Sequence, residues 1–337
     1  MITSGCGSFT ENLSELVALE LKPLAISLPH VLEDTNSLLK KIDEINNSYM
    51  LAGYDNIIHA SWDVVAMFPS MPNDIGISKC REMLDKRTPG QGLPTDCIIE
   101  ALELCLKYNI AQFDNRWYQQ NHGAAMGPHE ACFYCDIGMS YFDELIYSEQ
   151  NPHRQPLVWA RYRDDVYDPW VHGEHELLSF TDWLNSLNER LKFTLMYRLG
   201  NGIENLDKYI YDADGKLHTD IYSKPSDTHA YLPPSSCHPY HVCKNNPRQV
   251  ARRIRKICSE QHNYSAARDK FSTLLLERCY SKESIADSFA EFDHADRAEL
   301  FNTTLKDTTS DPKKVFPLVT EFNPHLPAIT SIMNKHF

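Results

Sequence analysis

Asp164 and Asp165 stand side by side in the stretch WARYRDDVYDPW, between two short apolar and aromatic segments. Adjacent carboxylates repel one another. The pair therefore suits either a solvated turn, where aspartate is favoured for its own hydrogen bonding, or a bound cation. A third carboxylate, Asp63, lies far upstream in IIHASWDVVAMF, a β-branched and aromatic run that ends at Pro69. If the strands carrying these residues are neighbours in one sheet, three carboxylates converge at one edge. Hard divalent cations take oxygen ligands, often one or two carboxylates plus substrate phosphates. Two such ions can activate an attacking hydroxyl and stabilise a leaving oxygen.

The elements that would position these acids follow from periodicity. Residues 8–23 and 34–46 read as helices, the second capped by Asp34 or Thr35 with Leu38, Leu39 and Ile42 on its apolar face. Residues 57–68 read as a buried strand. A helix capped by Thr95 follows Pro94, with Ile98, Leu102 and Leu106 in register, and another covers 129–147. PLVWARY and VYDPW form two strands around the Arg163-Asp164-Asp165 turn. Residues 174–191 are helical. KFTLMYR, LDKYIY and KLHTDIY are strands, the last two joined through Asp214-Gly215, a hairpin signal. Residues 240–305 return to helix and open with KNNPRQVARRIRKIC, which holds six cations and no acid. The order is an α+β pattern.

Several blocks then occur in a specific order. WDVVAMFPSMP places an aspartate in a strand with an aromatic residue and proline after it. QNHGAAMGPHEACFYCDIGM has the form Gln-x-x-Gly-x-x-Met-Gly opening a long helix. RYRDDVY is an aromatic-x-Asp-Asp turn, and LKFTLMY is the strand after it. NLDKYIYDADGKLHTDIYSKPSDTHAYL and SSCHPYH carry Lys-Pro-x-x-Thr and Ser-x-x-His-Pro, and VTEFNPHLPAI lies near the end. In this order the blocks resemble the reverse transcriptases of Penelope-like retroelements over nearly the whole chain.

The resemblance implies an α+β fold: a right-hand polymerase palm, an antiparallel sheet with packed helices, followed by a helical thumb, with the fingers largely missing. It implies a remnant of the fingers over 1–50, a palm over 51–235, a basic thumb over 236–310 and a connector over 311–337. It further implies RNA-directed DNA synthesis for a retrotransposable element, with two Mg²⁺ or Mn²⁺ ions, deoxynucleoside triphosphates, an RNA template and a DNA primer, no membrane, and an intracellular, nuclear location. Asp63 and Asp164 would be metal ligands, Asp165 a less direct support, and the Val64 carbonyl would complete one metal shell. Phe68 would be a steric gate against a ribose hydroxyl; otherwise it is a core aromatic at a strand end. Gln120 and Gly123 would line the nucleotide pocket, glycine because backbone must approach closely. Lys192 would sit near the triphosphate, or else on a solvated strand edge. Lys244, Arg248, Arg252, Arg253, Arg255 and Lys256 would hold the template–primer backbone, or else form a solvated helix face.

The sequence departs from the pattern in four places. Pro128-His129 replaces a common Ser-Pro pair after Met-Gly, and Arg163 is bulky for its place before the aspartates. Only 62 residues precede Asp63, and no GIY-YIG endonuclease follows the last block. The expectation is a palm and thumb from a longer reading frame, whose alternative is an inactive fragment that at most binds nucleic acid.

Composition bounds the remaining classes. The chain has 337 residues, 42% hydrophobic and 23% charged, enough for a sizeable core. A net charge of −13 argues against a generally basic surface, though not against a local one. The ten cysteines form no paired framework and read as reduced thiols. There is no secretory signal and no long apolar run. Cys132, Cys135, Cys237, His238, His241 and Cys243 match no common zinc spacing. A G-x-S-x-G elbow and a Walker loop are both absent from the sequence. A metal-dependent phosphodiesterase would need His or Glu ligands beside the Asp pair, and none is suitably placed.

Overall fold

A computed structural model describes residues 5–302 except 55, 89 and 201. The connector expected over 311–337, with its VTEFNPHLPAI block, lies outside the described residues. The elements are α1 (Glu11–Ile26), α2 (Thr35–Asn47), β1 (Ile58–Val64), α3 (Met67–Ser70), α4 (Asn73–Asp85), α5 (Thr95–Lys107), β2 (Ile110–Phe113), β3 (Arg116–Gln119), α6 (Ala131–Ile146), β4 (Ala160–Tyr162), β5 (Asp165–Trp170), α7 (Glu174–Ser186), β6 (Phe193–Leu199), β7 (Ile203–Asn205), β8 (Lys208–Ala213), β9 (Lys216–Ile221), α8 (Tyr240–Ile257), α9 (Gln261–Glu277), α10 (Lys282–Ala290) and α11 (Arg297–Asn302). No helix of the described residues is long and apolar enough to cross a membrane.

The chain forms two compact units. Among the described residues the first takes 5–205 and 211–217, the second 206–210 and 218–302. The division falls within the β8–β9 hairpin, where the sequence places a boundary at 235. Residues 11–47, expected as a fingers remnant, belong to the same unit as the main sheet.

That sheet has the strand order β4-β5-β1-β6, and its three pairings are antiparallel. β1 is interior and buried on both faces but for Asp63, although its sequence alternates apolar Ile58, Ala60, Trp62 and Val64 with polar His59, Ser61 and Asp63. Asp63 is the one exposed residue of the strand. The strand stops at Val64, short of the predicted 68. Ala66 turns left-handed (φ 47°), residues 67–70 make a single helical turn, and Pro72 leads into α4. α1 packs on α5 and α6, α4 on α5 and α6, and α7 on β6. α4 and α6 approach closely: a Cβ on Gly76 would lie 2.5 Å from the Tyr134 hydroxyl.

The core beneath the sheet is aromatic. The rings of Trp62 and Trp159 lie 5.1 Å apart, and those of Trp170 and Phe180 5.3 Å. Each of the three indole N–H groups has a partner: Trp62 donates to Thr181 Oγ1, Trp159 to Asp143 and Trp170 to the Gly173 carbonyl. Buried tryptophans require such partners.

Local capping accounts for other boundaries. Asp34 caps α2, its side chain accepting from Ser37 N at 2.9 Å. Thr95 does not cap α5; Pro94 holds that position and Thr95 is the first helical residue. α7 ends at Ser186 rather than 191, because Asn188 Oδ1 accepts from Arg190 N and Leu191 N and turns the chain toward β6. Asp214 and Gly215 both take positive φ, 52° and 71°, as the predicted hairpin turn requires.

In the second unit, α8 packs on α9, α10 and α11. Ala251, Ile254, Phe271, Leu275 and Phe289 form its apolar centre.

Candidate active site

β1 and β5 bring the acids together. In the antiparallel register Asp63 lies opposite Asp165, and Val64 N donates to the Asp164 carbonyl at 2.9 Å. The turn between β4 and β5 is shorter than the sequence suggests. Tyr162 pairs with Asp165, so only Arg163 and Asp164 occupy the tip and Asp165 is already in the strand. Partial burial raises the Asp63 pKa above the usual carboxylate range, and the negative charge of Asp164 adds to it. Two carboxylates close enough to feel each other at a sheet edge suit a shared cation. Among the described residues, no group of three or more His, Cys, Asp or Glu could hold a metal by itself. A donor set of that size fits Mg²⁺ that also draws on substrate phosphates, and not a closed structural site. Val64, whose side chain is buried, holds the end of β1 through its N–H.

Phe68 sits in α3, half-buried against the main core, and its carbonyl accepts from Ala124 N at 2.8 Å. This bond seals the Gln120–Met126 loop onto the segment after β1. Gly123 lies at the seal with φ 64°, and a Cβ there would come within 2.3 Å of the Phe68 carbonyl oxygen and 2.6 Å of Pro69 backbone. Both the left-handed conformation and the close approach demand glycine. Gly123→Ala is expected to push the loop off Phe68 and break the Ala124–Phe68 bond. The left-handed strain alone is about 1–2 kcal/mol. A denaturant midpoint, expected to fall accordingly, checks this.

Gln120 shapes the same loop from within. Its Nε2 donates to the carbonyls of His122 and Ala124, at 2.7 and 2.8 Å. Lys192 gives its ammonium to the carbonyls of Asn185 and Asn188 at the end of α7, at 2.5 and 2.9 Å. To reach a triphosphate it must leave them. Its own carbonyl accepts from Val65 N.

The basic residues of α8 do not form one free face. Arg248 pairs with Glu291 and Arg253 with Asp207. Arg255 donates to the Ala295 carbonyl and lies over the Tyr264 ring, and Arg252 Nη2 reaches the Leu300 carbonyl at 3.4 Å. The Lys256 carbonyl accepts from Arg297. Lys244 is exposed, with its ammonium over the Tyr240 ring. Arg248 and Arg253 are exposed as well. Lys244, Arg248 and Arg253 are thus open to an outside anion, and the two arginines share their charge with an acid.

Residues beyond the predicted set complete the site. Asp136 and Asp143 on α6 are buried and bind Arg161 and Arg163, at and beside the β4–β5 turn. Two buried acids seven residues apart on α6, with arginines two residues apart at the end of β4 and in the turn after it, are a sequence signal for such a network. Asp168 on β5 is fully buried, and burial pushes its carboxyl up to about 8. Its Oδ1 accepts from Val158 N at 2.6 Å. At neutral pH it is mostly uncharged, so β5 does not add a third full negative charge to those of Asp164 and Asp165.

Solved structures of nucleic-acid polymerases share this arrangement of sheet and helices. Telomerase from Candida albicans, in complex with a TWJ fragment of telomeric RNA, superposes with a TM-score of 0.57 at 10% identity over 86% of this chain and 52% of that one. Apo telomerase from Candida tropicalis gives 0.52 at 13% identity, over 88% and 52%. The fold is the polymerase right hand. An RdRp complex gives 0.50 at 11% identity over 79% of this chain and 24% of that one. The chain thus spans about half the length of the telomerases it matches. At these identities the likeness concerns the fold. An animal helix-turn-helix family model matches residues 230–290, within the helical part of the polymerase fold that holds α8 to α10. No curated protein matches the chain.

Proposed function

We infer that the chain is an RNA-directed DNA polymerase, a reverse transcriptase of a retrotransposable element similar to the Penelope-like elements, working on nuclear nucleic acid. The observation that carries this reading is the juxtaposition of Asp63, on β1, with Asp164, in the turn that leads into the adjoining strand β5 of a polymerase-type sheet.

In this reading Asp63 and Asp164, with the Val64 carbonyl, would hold two divalent ions and Asp165 would support them. The ions, when bound, supply Lewis-acid activation of the primer hydroxyl and neutralise charge on the transferring phosphoryl group. The primer 3′-oxygen bonds to the α-phosphorus of a deoxynucleotide, pyrophosphate leaves, and the hydroxyl proton passes to solvent. The chain's own part is positioning. Phe68 stands where a ribose 2′-hydroxyl would intrude. The Gly123 loop, sealed on Phe68 and Pro69, forms the wall behind the nucleotide. Lys244, Arg248 and Arg253 meet the template–primer backbone, the arginines exchanging Glu291 and Asp207 for phosphates.

A second reading, nucleic-acid binding without synthesis, is favoured by the helix-turn-helix match over 230–290. Primer extension separates the two. Purified chain is given an RNA template, a DNA primer, deoxynucleotides and Mg²⁺ or Mn²⁺. Extension is expected, with weak use of ribonucleotides. Salt-sensitive binding of the duplex without any extension would leave only the second reading.

A further inference from the structure

We propose that Arg163 and its buried partner Asp136 are positioning residues for Asp164, locking the catalytic turn to α6; this rests on the polymerase reading above. Arg163 occupies the first place of a two-residue turn with φ 58°. Glycine, asparagine or aspartate usually fill such a place, and a long side chain there costs about 1–2 kcal/mol. Strain of this kind persists where the surroundings over-determine it.

Here the surroundings do. The Arg163 guanidinium ion-pairs with the Asp136 carboxylate, whose side chain is 2% exposed. It also donates to the Cys132 carbonyl at 3.3 Å and lies over the Phe133 ring. One strand position back on the same face, fully buried Arg161 continues the network. Its Nη1 reaches Asp136 Oδ1 at 3.3 Å and its Nη2 the Asp136 carbonyl at 3.0 Å. Its Nε and Nη2 hold Asp143, at 3.1 and 2.7 Å, and Trp159 donates to that same carboxylate. Residues 159, 161 and 163 thus hand their side chains to two acids on α6, two cations against two anions.

Asp164 is in consequence held from two sides. Its carbonyl is taken by Val64 of β1, and the residue before it is tied to α6. α6 starts directly after the loop that seals on Phe68. The turn bearing one proposed metal ligand and the wall of the nucleotide pocket therefore share one rigid support. Side chains that must meet an ion or a reacting group gain most from such support when their own backbone cannot drift.

Structural and positioning roles separate at Arg163 because its side chain is 27% exposed and Arg161 still neutralises Asp136 when it is removed. Arg163→Gly keeps the turn, since glycine adopts positive φ freely, and deletes only the anchor. The measurements are Mn²⁺ binding to the protein–template–primer complex by electron paramagnetic resonance, single-nucleotide kcat and KM, and the melting temperature. Arg163→Gly is expected to weaken Mn²⁺ binding and lower kcat, each by about 10–100-fold, as removal of a second-layer partner does. Its KM for nucleotide stays within about twofold and its template–primer affinity is unchanged. Arg163→Lys, which keeps the charge without the fork, falls between. Wild-type Mn²⁺ affinity and kcat in Arg163→Gly would reduce Arg163 to a turn residue and defeat the proposal. So would losses that disappear at low temperature, where the variant is fully folded. Failure of the wild-type complex to bind Mn²⁺ would instead remove the polymerase reading, and this inference with it.

Discussion

Asp63→Asn and Asp164→Asn are each expected to abolish primer extension, by at least about a thousandfold, while melting no lower than the wild type. A loss of that size exceeds the 10²–10³ that follows removal of one transition-state hydrogen-bond donor, because an ion's place is lost rather than one bond to it. The stability half rests on charge. The Asp63 pKa is raised first by partial burial and then by Asp164. A carboxyl whose folded pKa lies above its unfolded one favours the folded state only while protonated. That contribution is complete below the unfolded pKa and is lost as pH rises through the raised folded pKa. The Asp164 charge opposes the ionised form of Asp63, a cost that a neutral asparagine at either place removes. The site is solvent-screened, so the gain in Tm is small, about 1–2 °C. Millimolar Mg²⁺ is expected to raise the wild-type Tm through binding to the folded form alone, and to leave both variants unchanged. Asp165→Asn, replacing a residue already within β5, is expected to lose less, about 10–100-fold. Thermal melts with and without Mg²⁺, run beside extension assays, check all of this. A variant that still extends, or that melts well below the wild type and regains activity on cooling, would move the acids from chemistry to architecture.

That Asp63 and the Asp164-Asp165 pair would meet was legible from the two strands that carry them, once those strands were taken as neighbours in one sheet. β1 was legible because Ile58, Ala60, Trp62 and Val64 alternate with polar residues at the period of a strand, even though His59 and Ser61 are buried as well. Its end was not, since the left-handed turn at Ala66 is a tertiary outcome with no glycine to announce it. α4 is absent from the periodicity because two of its inward positions are Gly76 and Lys79. Gly76 is there to admit the Tyr134 ring, and Lys79 is neutralised by Glu82 and Glu144. The β2–β3 hairpin gives no alternation because seven of its eight strand residues are exposed and none is buried, and it turns on Asp114-Asn115 rather than on a glycine. At the site, types were readable but partners were not. Nothing in the spacing says that Lys192 is spent on the end of α7, or that Arg248 and Arg253 already hold acids. A sequence shows which groups can bear charge, and the fold decides which of them keep it free.

Asp143→Ala is expected to cost about 3–5 kcal/mol of stability, the largest structural effect of any single change near the site. Arg161 has no exposed surface, and Asp143 takes two of its three nitrogens as well as the Trp159 indole N–H. Removing the carboxylate strands half a guanidinium charge and an indole donor in the core. Asp136 cannot take over, because it already answers Arg163. Asp143→Asn keeps an acceptor for Trp159 and loses the charge, so it should fall between alanine and wild type. The more telling variant is the double Arg161→Met with Asp143→Leu. A buried ion pair gains from its partner about what each ion lost in leaving water, so deleting both should recover most of the stability that either single change loses. Denaturant unfolding followed by near-ultraviolet circular dichroism, to which the packed Trp62, Trp159 and Phe180 contribute, reads this directly. Recovery of stability without recovery of extension would show that the pair is kept for the geometry of the turn. Recovery of both would show that apolar packing can set that geometry as well as charge does.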